Sequence, residues 1–345
     1  MELEPETLGD ETGQLGGALA TVLTDRLGVG VRIEGLKRLT GGASRETWAF
    51  DAVDAAGNVH ALILRRDFPG AGRSIPGALI GVDHDLDRRD EFALFHALFD
   101  AGLPVPRPLA LPDGKAELTD CFVMERVEGE SSPQRLVRDE AYAATRAVLP
   151  EQLGAVLARI HALNPDDLPR VPAHDTAHQI EIARRMAALG PAPRPVFEVA
   201  LRWLADRDPK DQPRRLVHGD FRNGNFLVGP EGLRAVLDWE YAHIGDPMED
   251  LAFLCLKPWR FGNVAAEVGG FGPRSALYQA YERAGGTPVD PEAMRFWEVL
   301  CNLKWGALCV ARAMAHVLGM QRSVEAAAIG RRVAETEHDI LELMG

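Results

Sequence analysis

Cysteines and long apolar runs are both scarce in this sequence. Its four cysteines are Cys121, Cys255, Cys301 and Cys309, and no two of them form a Cys-x-x-Cys pair. Their spacing matches neither a disulfide framework nor a metal-binding motif, so we expect buried thiols in a reducing compartment. No stretch of about 18 uninterrupted apolar residues occurs, and the acidic N-terminus lacks the apolar segment of a signal peptide. The sequence therefore predicts a cytoplasmic protein that does not enter a membrane.

Positive charge is also in short supply. Lysine and arginine number 38 against 51 aspartates and glutamates, which gives a formal net charge of -13. Nucleic-acid-binding proteins usually carry a basic stripe, so this balance argues against a nucleic-acid partner. A chain of 345 residues with 46% hydrophobic residues can bury a large core and favours two lobes. These features do not indicate an oligomeric state.

The order of predicted elements changes along the chain. Near the N-terminus, alternating apolar residues and short turns predict an antiparallel meander. Its three strands are expected at Val31–Leu39, Thr47–Asp51 and His60–Arg65. A helical apolar pattern follows over residues 83–101, and Phe122–Met124 predicts another short strand.

Helical patterns dominate after residue 126. The clearest are Glu151–Leu163 and a long apolar helix at about Pro291–Met320, whereas the β signal returns only around residues 216–238. The sequence thus predicts an α+β fold. We place a small β-rich lobe at residues 1–125 and a larger helical lobe at residues 126–345.

One polar stretch lies between two apolar runs, and it reads LVHGDFRNGNFLV from Leu216 to Val228. Asn225 follows Asp220 by five residues, and a predicted hairpin then leads to Asp238. Protein kinases use the same plan for phosphoryl transfer. A carboxylate orients the attacking hydroxyl and accepts its proton, and two oxygen-bearing side chains hold Mg²⁺. Each residue alone is better explained as the cap of a turn, but the three together at this spacing indicate a phosphotransfer site.

The motifs HGDFRNGN and LDWEYAHIGDPMEDLAFL carry a family resemblance. They closely resemble the aminoglycoside phosphotransferase and choline kinase family of small-molecule kinases, nearest to the kinase-like domain linked to acyl-CoA dehydrogenases. The resemblance covers roughly residues 30–320 and implies a two-lobed, protein-kinase-like fold that uses ATP and Mg²⁺. It implies that Asp220 is catalytic and that Asn225 and Asp238 are the metal ligands. Arg222 is a further catalytic candidate that either meets the γ-phosphate or faces solvent.

Several neighbouring residues are expected to support this site. By resemblance His218 braces the loop, and Gly219 is expected to allow its tight backbone. Asp246 and Asp250 are expected to anchor their segment by capping the helix that begins near Pro247. Glu240 lies either near the metal or near the acceptor.

The N-terminal lobe is expected to bind the nucleotide. Gly41, Gly42 and Ser44 lie in the turn after the first strand, where glycines let backbone N–H groups approach phosphates. An ordinary turn is the alternative, and a Walker A motif is absent from the sequence.

A basic residue on the third strand should meet the phosphates. Arg65 is preferred to Arg66, because alternation turns only one of the two inward. The family pattern usually has lysine there, although the branch linked to acyl-CoA dehydrogenases also shows arginine. Its expected carboxylate partner is Glu91, with Asp90 as the alternative.

The expected hinge follows the short strand at Phe122–Met124. The backbone of Glu125 and Val127 is expected to hydrogen-bond adenine. Because only main-chain groups take part, the side chains at these positions do not test the prediction.

The expected acceptor is a small molecule with a hydroxyl group. Only seven residues separate Asp238 from Asp246, which leaves no platform for a peptide substrate. A polar stripe on the late helix includes Glu298, Asn302 and Trp305, which either line the acceptor site or form a solvated face.

Several acceptors and rival functions remain open. A hydroxyacyl thioester or related metabolite suits the family branch, and an aminoglycoside or macrolide antibiotic is the alternative. A nucleotide-binding pseudokinase is a further rival. A metallophosphoesterase would require additional His and Asp motifs that the sequence lacks.

Overall fold

The computed structural model describes residues 5–39, 45–67, 80, 86–112, 118, 120–209, 213–320 and 323–345. The chain divides into two compact units. The first unit comprises Met1–Gly72 and Asp87–Val127, and the second comprises Arg73–Leu86 and Glu128–Gly345.

In its described residues, the first unit is a five-stranded antiparallel sheet with two helices. Its elements are α1 (Pro5–Leu27), β1 (Val31–Leu39), β2 (Glu46–Asp54), β3 (Val59–Arg66), α2 (Arg88–Asp100), β4 (Pro108–Ala110) and β5 (Cys121–Glu125). The strand order is β1-β2-β3-β5-β4. The predicted meander is therefore present, and each of its strands lies where the alternation of apolar residues placed it.

Helix α1 was not predicted, and it covers one face of the sheet. Leu15, Leu19 and Leu23 recur every four residues and so lie on one side of the helix. They belong to one buried cluster with Phe50 and Leu64 of the sheet. The four-residue leucine spacing was the available signal for this helix.

The opposite face of the sheet packs on α2. Phe122 of β5 lies 5.7 Å from the ring of Phe95 on this helix. Arg65 of β3 is directly paired with Phe122 across the strands, so its side chain points to the same face. Arg66 therefore points to the other face, where its guanidinium lies 5.7 Å from the ring of Trp48.

The second unit is mainly helical and contains two small two-stranded sheets. Its helices are α3 (Pro133–Arg138), α4 (Ala143–His161), α5 (Thr176–Ala187), α6 (Pro195–Ala205), α7 (Met248–Cys255), α8 (Arg274–Arg283), α9 (Pro291–Val317), α10 (Val324–Ile329) and α11 (Val333–Met344). Its strands are β6 (Arg215–Val217), β7 (Phe226–Gly229), β8 (Gly232–Val236) and β9 (His243–Gly245). Strand β6 pairs with β9, and β7 pairs with β8.

Helix α4 begins eight residues before its predicted start at Glu151. The sequence misleads here because Pro150 resembles the first residue of a helix. In the structure Pro150 lies inside the helix and is buried together with Leu149. Burial of these apolar side chains compensates for the hydrogen bond that the proline cannot donate.

Helix α4 packs very closely on α8 at Gly154. A Cβ atom at this position would collide with the backbone oxygen of Leu277. The absence of a side chain therefore allows the two helices to approach each other. None of the helices in the described ranges is long and apolar enough to cross a membrane.

A buried charge network ties β9, α5, α7 and α9 together. The carboxylate of Glu249 on α7 accepts from Gln179 at 2.8 Å, lies 3.1 Å from Nε2 of His243, and pairs with Lys304 of α9. Burial raises the pKa of Glu249, but Lys304 and His243 outweigh it and hold the pKa well below its usual range. The network thus supplies partners for an otherwise costly buried charge.

A histidine stack lies beside this network. The ring of His174 is stacked on His178 at 4.6 Å and on His243 at 4.9 Å. Burial lowers the pKa of His174 to about 3, with further lowering by His243, His178 and Lys304 against an opposing effect of Glu249. The folded protein therefore favours the neutral His174 ring.

We predict that His174 lowers the free energy of unfolding as the pH drops below about 6.5, the pKa of a histidine in the unfolded chain. The folded pKa is depressed, so the contribution is present above pH 6.5 and is lost as the pH falls towards 3. His174→Gln should flatten urea-derived unfolding free energies between pH 5 and 6.5. Because the ring is half-buried, the change should be smaller than the limiting ~1.4 kcal/mol per pH unit. Exposed His338→Gln is the control, and parallel profiles for wild type and His174→Gln would contradict the prediction.

Candidate functional site

The HGD loop, residues 218–225, connects β6 to β7. Gly219 has a φ of +79°, and a Cβ atom there would collide with the backbone oxygen of Tyr241. Only glycine meets both requirements, as the sequence predicts. The side chain of Asn223 is buried in the loop and donates to the backbone oxygen of Gly269 at 2.9 Å.

A single carboxylate from α7 holds the start of the HGD loop. Asp250 accepts from the backbone N–H of His218 at 2.8 Å and from that of Gly219 at 3.0 Å. Its Oδ2 atom also lies 3.1 Å from Nε2 of His161 on α4. The buried polar groups at the turn are therefore paired with one charged acceptor.

The expected capping roles of Asp246 and Asp250 are half correct. Asp246 accepts from the N–H of Met248, the first residue of α7, and from the indole of Trp297 at 2.7 Å. Asp250 lies inside α7, so the prediction that it caps this helix is wrong. Its carboxylate instead serves the HGD loop, a partner distant in sequence.

His218 and Asn225 join the HGD loop to the β7–β8 hairpin. Nε2 of His218 lies 2.9 Å from the backbone oxygen of Leu237, and the N–H of Leu237 donates to the backbone oxygen of Asn225 at 2.8 Å. The next residue is Asp238, which therefore lies beside the loop. Asp238 has a φ of +66°, an unfavourable conformation for a residue with a side chain.

The carboxylate of Asp220 is held on both oxygens. Asn225 Nδ2 donates to Oδ2 at 2.6 Å and to the Asp220 backbone oxygen at 2.9 Å. Arg222 Nε donates to Oδ1 at 2.9 Å. The amide oxygen of Asn225 and the carboxylate of Asp238 are hard oxygen donors, and this donor set fits Mg²⁺.

Arg222 is held between a carboxylate and an aromatic ring, so it does not simply face solvent. Its guanidinium carbon lies 4.7 Å from the ring centroid of Trp259. Burial lowers the pKa of Arg222, but the carboxylates of Asp220, Asp238 and Glu240 outweigh it and raise the pKa overall. Glu240 is itself buried, and its backbone oxygen accepts from Leu86 at 2.7 Å.

In the first unit, Arg65 and Glu91 lie together. Arg65 Nη2 is 3.9 Å from Glu91 Oε1, and Glu91 also contacts Arg45 and Arg88. Arg66 instead pairs with Glu46 at 2.7 Å on the other face. Arg65 and Glu91 are thus close enough to form an ion pair, and contact of Arg65 with phosphate stays a prediction.

Five further residues are predicted to bind the nucleotide, namely Gly41, Gly42, Ser44, Glu125 and Val127. Gly41, Gly42 and Ser44 lie outside the described residues. The N–H of Glu125 at the end of β5 donates to the backbone oxygen of Arg107 at 2.9 Å. Val127 follows at the end of the first unit.

The polar stripe on α9 is buried at two of the three positions that were candidates for acceptor binding. Glu298 and Asn302 are only 4% and 2% exposed, so a solvated face is excluded at these positions. Glu298 pairs with Arg274, and its backbone oxygen accepts from Asn302 Nδ2 at 2.9 Å. Within the described part of the chain, Asn302 Oδ1 and the buried Trp305 Nε1 make no hydrogen bond.

Sequence reasoning missed three contributors to this geometry. They are His161, Arg88 and Trp259. Trp259 resembles an ordinary core aromatic, so the sequence carries no separate signal for its contact with Arg222. For His161 and Arg88, charged or polar residues on otherwise apolar helix faces were the available signal.

A metallophosphoesterase is not supported. In the ranges that the structure describes, one cluster of potential metal-binding side chains occurs, at His338, Asp339 and Glu342. Lys257 already pairs with both carboxylates of this cluster. The cluster lies on α11, and the HGD loop is a different segment of the chain.

We predict that Asp250→Asn destabilises the protein. Its amide would place an N–H group against a backbone N–H donor and would remove the charge that two buried donors share. Hydrogen bonds to charged groups are worth about 1.5–3 kcal/mol each, so the free energy of unfolding should fall by about 3 kcal/mol. Asp175→Asn is the matched control, because Asp175 accepts one N–H at the start of α5 and asparagine caps equally well. Equal urea-denaturation midpoints for the two variants would contradict the assignment.

Comparison with known proteins gives a consistent family. The sequence profile described as the phosphotransferase enzyme family matches residues 35–297. Acyl-CoA dehydrogenase family member 11 from Pongo abelii is 30% identical over 285 residues, which cover 76% of this chain and 36% of that protein. The chain thus spans only about a third of the length of that relative.

Solved structures share the fold along nearly the whole chain. A Ralstonia eutropha JMP134 protein assigned to the aminoglycoside phosphotransferases has a TM-score of 0.70 at 20% identity, covering 95% of this chain and 97% of its own. LicA, the choline kinase of Streptococcus pneumoniae, in complex with AMP has a TM-score of 0.58 at 19% identity, covering 94% and 99%. The predicted protein-kinase-like α+β fold is therefore confirmed, and the chain belongs to the phosphotransferase enzyme family.

Proposed function

We propose that this protein transfers the γ-phosphoryl group of ATP to the hydroxyl of a small molecule. The observation that carries the proposal is the Asp220 carboxylate, held at 2.6 Å by Asn225 and at 2.9 Å by Arg222. A carboxylate fixed in this way is suited to orient a hydroxyl and accept its proton. The family membership and the AMP complex of the similar LicA structure support a nucleotide as donor.

The remaining residues take the following proposed roles. Asn225 and Asp238 would hold Mg²⁺, which supplies charge neutralisation at the phosphates when it is bound. Arg65, oriented by Glu91, would contact the phosphates. Gly41, Gly42 and Ser44 would cover the phosphates, and the backbone of Glu125 and Val127 would meet adenine.

Charge on the acceptor side favours a hydroxyacyl thioester or related metabolite over an aminoglycoside. Arg274 pairs with Glu298 and, at 2.9 Å, with Glu267. A polycationic antibiotic would need carboxylates that are not already paired with arginine. The similarity to acyl-CoA dehydrogenase family member 11 supports an acyl-bearing acceptor as well.

Asn302 and Trp305 are the proposed acceptor-binding groups. Each leaves a buried polar atom without a hydrogen bond among the described residues, which costs about 1–3 kcal/mol unless a ligand or water pairs with it. Glu298 would then support Asn302 through its backbone oxygen. Glu240, whose carboxylate acts on Arg222, would lie either near the metal or near the acceptor.

We predict that Asp220→Asn strongly lowers the rate of phosphotransfer. The assay is ATP consumption in the presence of hydroxyacyl-CoAs, choline-like alcohols and antibiotics. Loss of general-base catalysis should lower turnover by roughly 10²–10⁴, while the affinity for ATP stays the same. Exposed Asp206→Asn at the end of α6 is the control. Full activity of Asp220→Asn would refute its role, and nucleotide binding without transfer by the wild type would favour a pseudokinase.

We also predict that Asn302→Ala and Trp305→Leu raise the acceptor KM by about tenfold, the effect of one lost buried hydrogen bond. The KM for ATP should not change, because the proposed nucleotide residues lie on other elements. Glu292→Gln, at an exposed position on a different side of α9, is the control. An unchanged acceptor KM in both variants would show that this face of α9 does not bind the acceptor.

A further inference from the structure

Trp259 lies next to the residue that holds the proposed base. It is part of the short 3₁₀ turn Lys257–Arg260 and is only 3% exposed. The guanidinium of Arg222 packs over its ring at 4.7 Å, and Arg222 Nε donates to Asp220 Oδ1 at 2.9 Å. Trp259 is thus one side chain removed from Asp220.

The two donors that hold Asp220 differ in how well they are fixed. Asn225 is short, belongs to the HGD loop and is joined by its backbone to Leu237. Arg222 has a long side chain with many rotamers, and fixing it costs conformational entropy. Besides Asp220, it contacts the backbone oxygen of Asn223 at 3.3 Å and the Trp259 ring, and the carboxylates of Asp238 and Glu240 attract its charge. The ring is the contact that restricts the plane of the guanidinium, because it packs against the guanidinium face.

Trp259 is itself held by its surroundings. Arg260 donates to the backbone oxygens of Val264 at 2.8 Å and Cys255 at 2.7 Å, which fixes the turn after α7. Asn223 of the HGD loop donates to the backbone of Gly269 in the same segment. Hydrogen bonds thus connect the HGD loop to the segment after α7 that contains Trp259.

We propose that Trp259 is a positioning residue for phosphotransfer, which acts through Arg222 to set the orientation of the Asp220 carboxylate. The inference rests on the proposed function, because it requires Asp220 to receive the hydroxyl. Loss of the Trp259 ring should therefore lower kcat without changing the affinity for ATP.

A purely structural role for Trp259 makes a different prediction. The ring also packs on Phe253 at 5.4 Å and on Trp305 at 4.7 Å, so its loss would disturb the core. A structural effect would be independent of Arg222. An effect through Arg222 would disappear once Arg222 has lost its charge. A double-mutant cycle separates the two cases.

The experiment measures kcat and KM for Trp259→Leu, Trp259→Phe, Arg222→Gln and the double variant Trp259→Leu/Arg222→Gln. ATP turnover is followed with water as acceptor and with the best acceptor from the screen. Trp259→Leu should lower kcat about tenfold, the rate equivalent of one cation–π contact, with the KM for ATP unchanged. Trp259→Phe keeps an aromatic face for the guanidinium, so its kcat should fall much less than that of Trp259→Leu. In the Arg222→Gln background, Trp259→Leu should cause no further loss.

Phe253→Leu is the matched control, because it removes an aromatic ring that packs on Trp259 and leaves the Arg222 contact in place. It should lower thermal stability but leave kcat close to wild type. Independent, multiplicative effects in the cycle, or an equal loss of kcat in Phe253→Leu, would overturn the role of Trp259. Full turnover by Asp220→Asn, or none by the wild type, would instead remove the proposed function and this inference with it.

Discussion

The position of the HGD loop depends on the carboxylate of Asp250. The loop turns sharply at Gly219 in a buried environment, where the N–H groups of His218 and Gly219 need acceptors. One side chain on α7 accepts from both. Helix α7 is in turn capped by Asp246 and tied to α9 through Glu249 and Lys304. The helices thus hold the backbone of the loop in place, while Asn225 and Arg222 within the loop hold the carboxylate of Asp220.

The second constraint is the register between the loop and the hairpin. Two hydrogen bonds of Leu237 fix which hairpin residue lies beside the loop: its backbone oxygen bonds Nε2 of His218, and its N–H donates to the backbone oxygen of Asn225. The residue so placed is Asp238. A hairpin longer or shorter by one residue would move the carboxylate away from Asn225. The fixed spacing of Asp220, Asn225 and Asp238 in the sequence is thus a consequence of main-chain geometry, which is why the spacing is informative.

Features that depend on local spacing were predictable from the sequence, and features that depend on distant contacts were not. The meander, the hairpin and the proximity of Arg65 to Glu91 follow from periodicity and motif order. The two N–H groups that donate to Asp250, those of His218 and Gly219, lie 32 and 31 residues away in the chain. No local sequence pattern indicates such a contact. Helix α4 extends through Pro150 because burial outweighs a local rule. Trp259 differs from a core aromatic only through its neighbour Arg222.

The net charge of -13 does not predict the charge of the ligand. In the described part of the second unit, the buried carboxylates of Glu249 and Glu298 have the cationic partners Lys304 and Arg274, and the partly buried Asp220 has Arg222. Burying an unpaired charge is costly, so these pairings offset the cost of burial. The acidic excess then resides mainly in exposed residues, where solvent screens it. A cationic ligand is therefore attracted to the surface in general and gains little at the Asn302 face. If that face binds the acceptor as proposed, hydrogen bonding and shape select the acceptor there.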